Sequence, residues 1–103
     1  MTFEIILAPE AANSLRKLRA HVRAEVRDAI EVHLRHEPTK VSKSRIKRLR
    51  GLSQPQFRLR VGDIRVFYDV TEAAVEVLAI IEKAEAQAWL DEEGTPTPGG
   101  GPG

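Results

Sequence analysis

Three arginines, Arg58, Arg60 and Arg65, stand within the stretch FRLRVGDIRVFYDV at residues 57–70. A guanidinium stays charged at any ordinary pH and offers a planar fork that binds two oxygens at once. Such groups can hold a phosphate or a carboxylate and stabilise a pentavalent phosphate, but they are poor proton acceptors. Their spacing brings them together. Apolar and other residues alternate on both sides of Gly62-Asp63, which reads as a hairpin closed by a two-residue type II′ turn with glycine at the position needing positive φ. In that register Val61 faces Ile64, Arg60 faces Arg65, Leu59 faces Val66, Arg58 faces Phe67 and Phe57 faces Tyr68. Phe57, Leu59, Val61, Ile64, Val66 and Tyr68 then share one face fit for burial, and the three arginines share the other with Phe67. Arg60 opposite Arg65 is a like-charge pair, which costs on the order of a few tenths of a kcal/mol and calls for an explanation.

The segment before the hairpin enlarges the array. Residues 40–50, KVSKSRIKRLR, hold six cations in eleven positions, and Lys43, Arg45, Lys47, Arg48 and Arg50 are candidates for nucleic-acid contacts. The net charge of +1 conceals this polarity: residues 1–39 sum to zero, 40–65 to +8 and 66–103 to −7. Such asymmetry points to a polyanionic partner for the middle of the chain. Phe67 and Trp89 add aromatic faces of the kind that stack on unpaired bases, so single-stranded RNA fits the pattern. A competing account has the acidic tail, or Asp28 and Glu31, neutralising the arginines; it explains their charge but not their gathering on one pleat face.

Other chemistries find less support. His33 and His36 are three apart in a helical region, which permits a metal pair but offers no third ligand, and His21 stands apart. No Gly-rich phosphate loop or nucleophile motif is present, and no cysteine can form a disulfide or a thiolate metal site. No metal or other cofactor is expected.

The elements that must carry these residues are legible from periodicity. Residues 2–8 alternate as a first strand, and Pro9 suits the opening of a helix. Leu15, Leu18, Val22, Val26, Ile30 and Leu34 form a helical stripe, long enough that a break near residues 19–21 is expected to fold it into two helices ending before Pro38. The apolar run 74–81 suits a central strand, and the alanine-rich residues 82–90 a closing helix. After residue 90 the chain turns to Gly, Pro and acid, which predicts a disordered tail at 91–103 behind a single domain at 1–90. The fold class expected is α+β, with helices on one side of a mostly antiparallel sheet. No signal peptide or membrane span is apparent, so a soluble cytoplasmic protein is expected.

The motifs RLRGL at residues 48–52, FRLRVGDIRVFYDV and VEVLAIIEK resemble the RelE/ParE superfamily of type II toxin–antitoxin systems. The resemblance spans residues 3–90 and implies a strand, a two-helix hairpin, an antiparallel three-strand meander and a short C-terminal helix. It also implies a cognate antitoxin partner and one of two activities. RelE-like members cut mRNA in the ribosomal A site with basic sheet residues and a C-terminal tyrosine; ParE-like members poison DNA gyrase and lack that set. By resemblance the catalytic positions fall on Arg58, Arg60, Arg65 and Lys83, and the tyrosine position falls on Trp89, a departure. Indole cannot act as a general base, so Glu82, Glu85, Lys83 and Tyr68 are the remaining proton-transfer candidates, with Tyr68 expected in the core. The expected activity is a ribosome-dependent mRNA interferase that blocks translation. A ParE-like gyrase inhibitor and a catalytically inactive antitoxin- or RNA-binding member are the alternatives.

Overall fold

The computed structural model describes residues 2–98. Strand β1 (Glu4–Leu7) leads into α1 (Pro9–Lys17), with Pro9 in the first turn and Arg16 and Lys17 in the last, where they complement the helix dipole. The helical stripe breaks at Leu18 and Arg19, whose extended backbones (ψ 151° and 150°) redirect the chain into α2 (Ala20–Ala29). A π-helical turn (Ile30–Leu34) extends α2. The two-helix hairpin expected from sequence is therefore present, with its break one residue earlier.

The hairpin is formed by β4 (Phe57–Val61) and β5 (Ile64–Val70), and all five cross-strand pairs read from the sequence are observed. Gly62 takes φ +57° while Asp63 keeps a negative φ, as a II′ turn requires. Strand β6 (Ala74–Glu82) completes the meander antiparallel to β5, and β1 lies parallel to β6 on its other side. Within the basic segment a further strand, β2 (Ile46–Arg48), pairs antiparallel with β4. The sheet order is β1-β6-β5-β4-β2. Its core face packs under the helices, with Ala11, Leu15, Val26, Ile30 and Leu34 set against Leu59, Val66, Tyr68, Val75 and Val77. Tyr68 is fully buried, stacked on Phe57 at 5.5 Å, and its hydroxyl donates to the Pro38 carbonyl at 2.6 Å.

Two features go beyond the sequence reading. Within residues 40–50, Ile46 is 3 % exposed opposite Leu59, and that burial draws the segment onto the sheet edge as β2. Regular structure also continues past residue 90. Helix α3 runs Lys83–Glu93, and β7 (Thr95–Pro96) then pairs with β3 (Leu52–Gln54) in a small second sheet. Gly94 makes this closure possible, because its amide bonds to the Leu90 carbonyl at 2.8 Å. A Cβ there would stand 2.6 Å from that oxygen and 3.2 Å from Leu52. The end of α3 and all of β7 thus lie within the tail expected at 91–103, of which residues 99–103 are outside the described part. No helix among the described residues is long and apolar enough to cross a membrane.

Candidate functional site

The face of the sheet opposite the core carries the cations. Moving inward from the edge, Lys47 of β2 pairs with Arg58 of β4, which pairs with Phe67 of β5; one step along, Arg60 pairs with Arg65. The three guanidiniums are not equivalent. Arg60 is exposed, and Arg58 is half-buried with its Nε lacking any hydrogen-bond partner among the described residues. Arg65 is only 7 % exposed, and its Nη1 donates to the carbonyls of Gly62 (2.8 Å) and Ile64 (3.1 Å). Burial, then repulsion from Arg58 and Arg60, holds Arg65 below the ordinary arginine pKa, with Asp63 opposing. Arg65 therefore braces its own turn while adding its charge to the face.

Among the described residues no carboxylate forms an ion pair with this array; the ion pairs are Glu31–Arg35 at 2.6 Å and Glu37–Lys40 at 3.7 Å. Glu31, one of the acids proposed as a neutraliser, is thus engaged elsewhere.

Helix α3 covers the β5–β6 half of the same face. Half-buried Ala86, Trp89 and Leu90 lie at helical spacing, and the Trp89 ring stacks on Phe67 at 5.1 Å and 12°. Its Nε1–H donates to a Glu10 carboxylate oxygen at 3.0 Å, tying α3 to α1. This corrects one expectation. Phe67 is 0 % exposed and its face is taken by Trp89, so it offers no stacking surface to a base in this conformation. Lys83 is exposed at the start of α3, and its backbone amide bonds to the Asp63 carbonyl at 2.7 Å, which brings it to the tip of the hairpin.

The remaining basic candidates surround β2. Lys43, Arg45, Lys47, Arg48 and Arg50 are all exposed, and the Arg45 carbonyl accepts from the Arg60 amide at 2.8 Å. Arg48 lies on the opposite pleat from Lys47, its guanidinium 5.2 Å from the centre of the Phe57 ring.

Proton-transfer groups are sparse on this face. Burial pushes the Tyr68 hydroxyl well above the ordinary tyrosine range, and it points into the core. Glu82 and Glu85 are exposed near Lys83. His33 lies half-buried beside Arg45; burial first, and then that charge, holds its pKa below the usual histidine value. Among the described residues no group of three His, Cys, Asp or Glu side chains is placed to hold a metal.

The family model for the ParE toxin of the type II toxin–antitoxin system parDE matches residues 5–87. The chain belongs to this toxin family. No curated protein matches it by sequence. Among solved structures, the toxin is similar to the Pyrococcus horikoshii RelE–RelB complex at 22 % identity and TM-score 0.66, covering 81 % of this chain and 97 % of the other. It is similar to the Mycobacterium tuberculosis RelBE2 toxin–antitoxin complex at 24 % identity and TM-score 0.60, covering 80 % and 99 %. An arginine double mutant of Escherichia coli RelE in the free state aligns at 25 % identity and TM-score 0.65, covering 89 % and 94 %. The α+β toxin fold expected from the motifs is therefore the fold observed.

Sequence reasoning missed Glu10, which anchors Trp89 from 79 residues away, and Asp69, whose buried carboxylate accepts from Gln54 Nε2 (2.7 Å) and the Gln56 amide (2.8 Å) to set the entry of β4. No local pattern announces either. The buried Asp69 could have been suspected only as the one acidic residue in a largely apolar strand that also carries Arg65.

Proposed function

We propose that this toxin blocks translation by gripping mRNA in the ribosome on the face of Arg58, Arg60 and Arg65, with Lys83 at its margin, and promoting cleavage there. The observation that carries the reading is the set of unpaired guanidiniums on rigid, neighbouring strands. In cleavage by the 2′-hydroxyl, that oxygen attacks the adjacent phosphorus and the 5′ oxygen leaves. Arginines fixed beforehand stabilise the charge that develops on the equatorial oxygens, and positioning alone contributes to the rate. With Tyr68 buried and Trp89 unable to accept a proton, the proton transfers fall to ribosomal groups, with exposed Glu82, Lys83 and Glu85 the candidates within this chain. An antitoxin neutralises the toxin, in keeping with the complexes formed by its structural neighbours. Its acidic segment covers the three arginines and blocks the face by occupancy.

A second reading, inhibition of DNA gyrase, is favoured by the ParE family model and by the absence of a tyrosine at the Trp89 position. Expression of the chain alone separates the two. Uptake of labelled amino acids should fall before uptake of labelled thymidine if translation is the target. The reverse order would replace the first reading with the second, and no growth effect from folded protein would reduce the chain to an antitoxin-binding member.

A further inference from the structure

Around the edge strand β2 the charged face continues into a cleft of about 720 Å³ between the basic segment and the C-terminal strap of Gly94–Thr97. Lys43, Lys47, Arg48 and Arg50 line it, Val41 and Leu52 supply aliphatic wall, and Thr97 closes one side. No acidic residue lines it, and none of the four cations has an ion-pair partner among the described residues. The architecture is fixed from several directions. The Leu49 amide bonds to the Gln56 carbonyl at 2.9 Å, the Thr97 amide to the Gly51 carbonyl at 3.1 Å, and the Arg48 guanidinium rests over Phe57. The strap lies beyond residue 87, where the match to the family model ends.

Continuity decides what occupies it. Lys47 belongs to both regions: it pairs directly with Arg58 on the hairpin face and also lines the cleft. Neighbouring strands are about 4.8 Å apart, so cations on β5, β4 and β2 form a track that crosses the strands and turns over the sheet edge. A separate small anion would need no such continuity, and an acidic helix laid on the sheet would not turn the edge. A flexible single strand does both. The cleft holds no aromatic side chain, so it contacts backbone phosphates without reading bases.

We infer that Lys43 and Lys47, with Arg48 and Arg50, form a second phosphate-binding subsite that receives the single-stranded RNA backbone as it leaves the arginine face. This rests on the translation reading above, and the test keeps the two apart. Affinity for labelled single-stranded oligoribonucleotides of increasing length is measured over a series of salt concentrations, for the full chain and for the Lys43→Gln/Arg50→Gln and Arg58→Gln/Arg60→Gln pairs; Lys47 is left intact because it belongs to both regions. Each phosphate contact on a single strand contributes about 0.7 to the slope of log K against log salt. The expected result is that the cleft pair lowers the slope by about 1.4 for long oligonucleotides, leaves short ones unaffected, and removes the gain in affinity on lengthening. The hairpin pair should weaken long and short alike. If the hairpin pair behaves so while the cleft pair changes neither slope nor length dependence, the subsite is refuted and the arginine face stands. Wild-type protein that binds no RNA at all overturns the face and the subsite together. Loss of binding to an acidic peptide, with RNA binding unchanged in the cleft pair, would assign the cleft to a protein partner instead.

Discussion

The two faces of the β4–β5 hairpin are built from alternate residues of the same twelve-residue stretch, yet they answer to different physics. On the inner face Phe57, Leu59, Val61, Ile64, Val66 and Tyr68 are each at most 7 % exposed, and each polar atom present is satisfied: the Tyr68 hydroxyl reaches the Pro38 carbonyl. On the outer face Arg58 leaves a buried Nε without a partner, and Arg60 stands opposite Arg65 with no acid between them. The inner face is complete within the chain. The outer face leaves its cations without anionic partners among the described residues, and the proposed binding of an anionic partner accounts for that.

Substitutions should separate the faces most sharply at the inner one. Leu59→Ala removes a fully buried side chain beneath the helices and should cost about 2–5 kcal/mol in chemical denaturation. Toxicity would then fall only as far as folded protein is lost.

Tyr68→Phe leaves the Pro38 carbonyl unpaired and should cost about 1–3 kcal/mol. It also changes the response to alkali. Because burial raises the Tyr68 pKa in the folded state, the folded form holds its proton where the unfolded form releases it. The contribution of the protonated hydroxyl is full below the unfolded value of about 10 and is lost as pH rises beyond it. The melting temperature of the wild type should therefore drop above about pH 10 more steeply than that of Tyr68→Phe; parallel curves would show that Tyr68 titrates normally.

Smaller stability effects are expected on the outer face, and there the order of functional effects reverses. Arg65→Gln gives up two hydrogen bonds to backbone carbonyls but relieves repulsion, for a net loss of about 1 kcal/mol. Arg58→Gln and Arg60→Gln should stay within about 0.5 kcal/mol of the wild type. Each of the three should nevertheless reduce toxicity about tenfold or more, since a charge-assisted contact worth about 1.5–3 kcal/mol is lost from the bound state. Melting curves set beside growth assays test this. An Arg60→Gln protein that is badly destabilised but fully toxic would make the hairpin arginines scaffold and end the distinction between the faces.

How much of this was readable beforehand follows from range. The hairpin register needed only a period of two and a Gly-Asp turn, both local, and it emerged pair for pair. The helix break was suggested by the length of the stripe and placed within a residue of Leu18 and Arg19. The burial of Phe67 was not readable, because a strand pattern says which face a side chain takes but not whether a helix sixteen or more residues later will cover it. The same applies to Arg65: alternation put it on the outer face, but its turn curls the guanidinium onto the Gly62 carbonyl. The extension past residue 90 was obscured by composition, since Gly and Pro signal disorder on average. Here Gly94 is what lets the chain fold back onto Leu52.

The stacking of Trp89 on Phe67 has a practical consequence. It is the chain's single tryptophan, so its emission comes from one place, at the junction of α3, the sheet and Glu10. An indole held face to face on a phenyl ring, with its N–H on a carboxylate, has a different polarity around it from one in water. The wavelength and anisotropy of its fluorescence therefore report whether α3 stays on the sheet. Displacement of α3 from the sheet can thus be followed in the unlabelled protein, in real time.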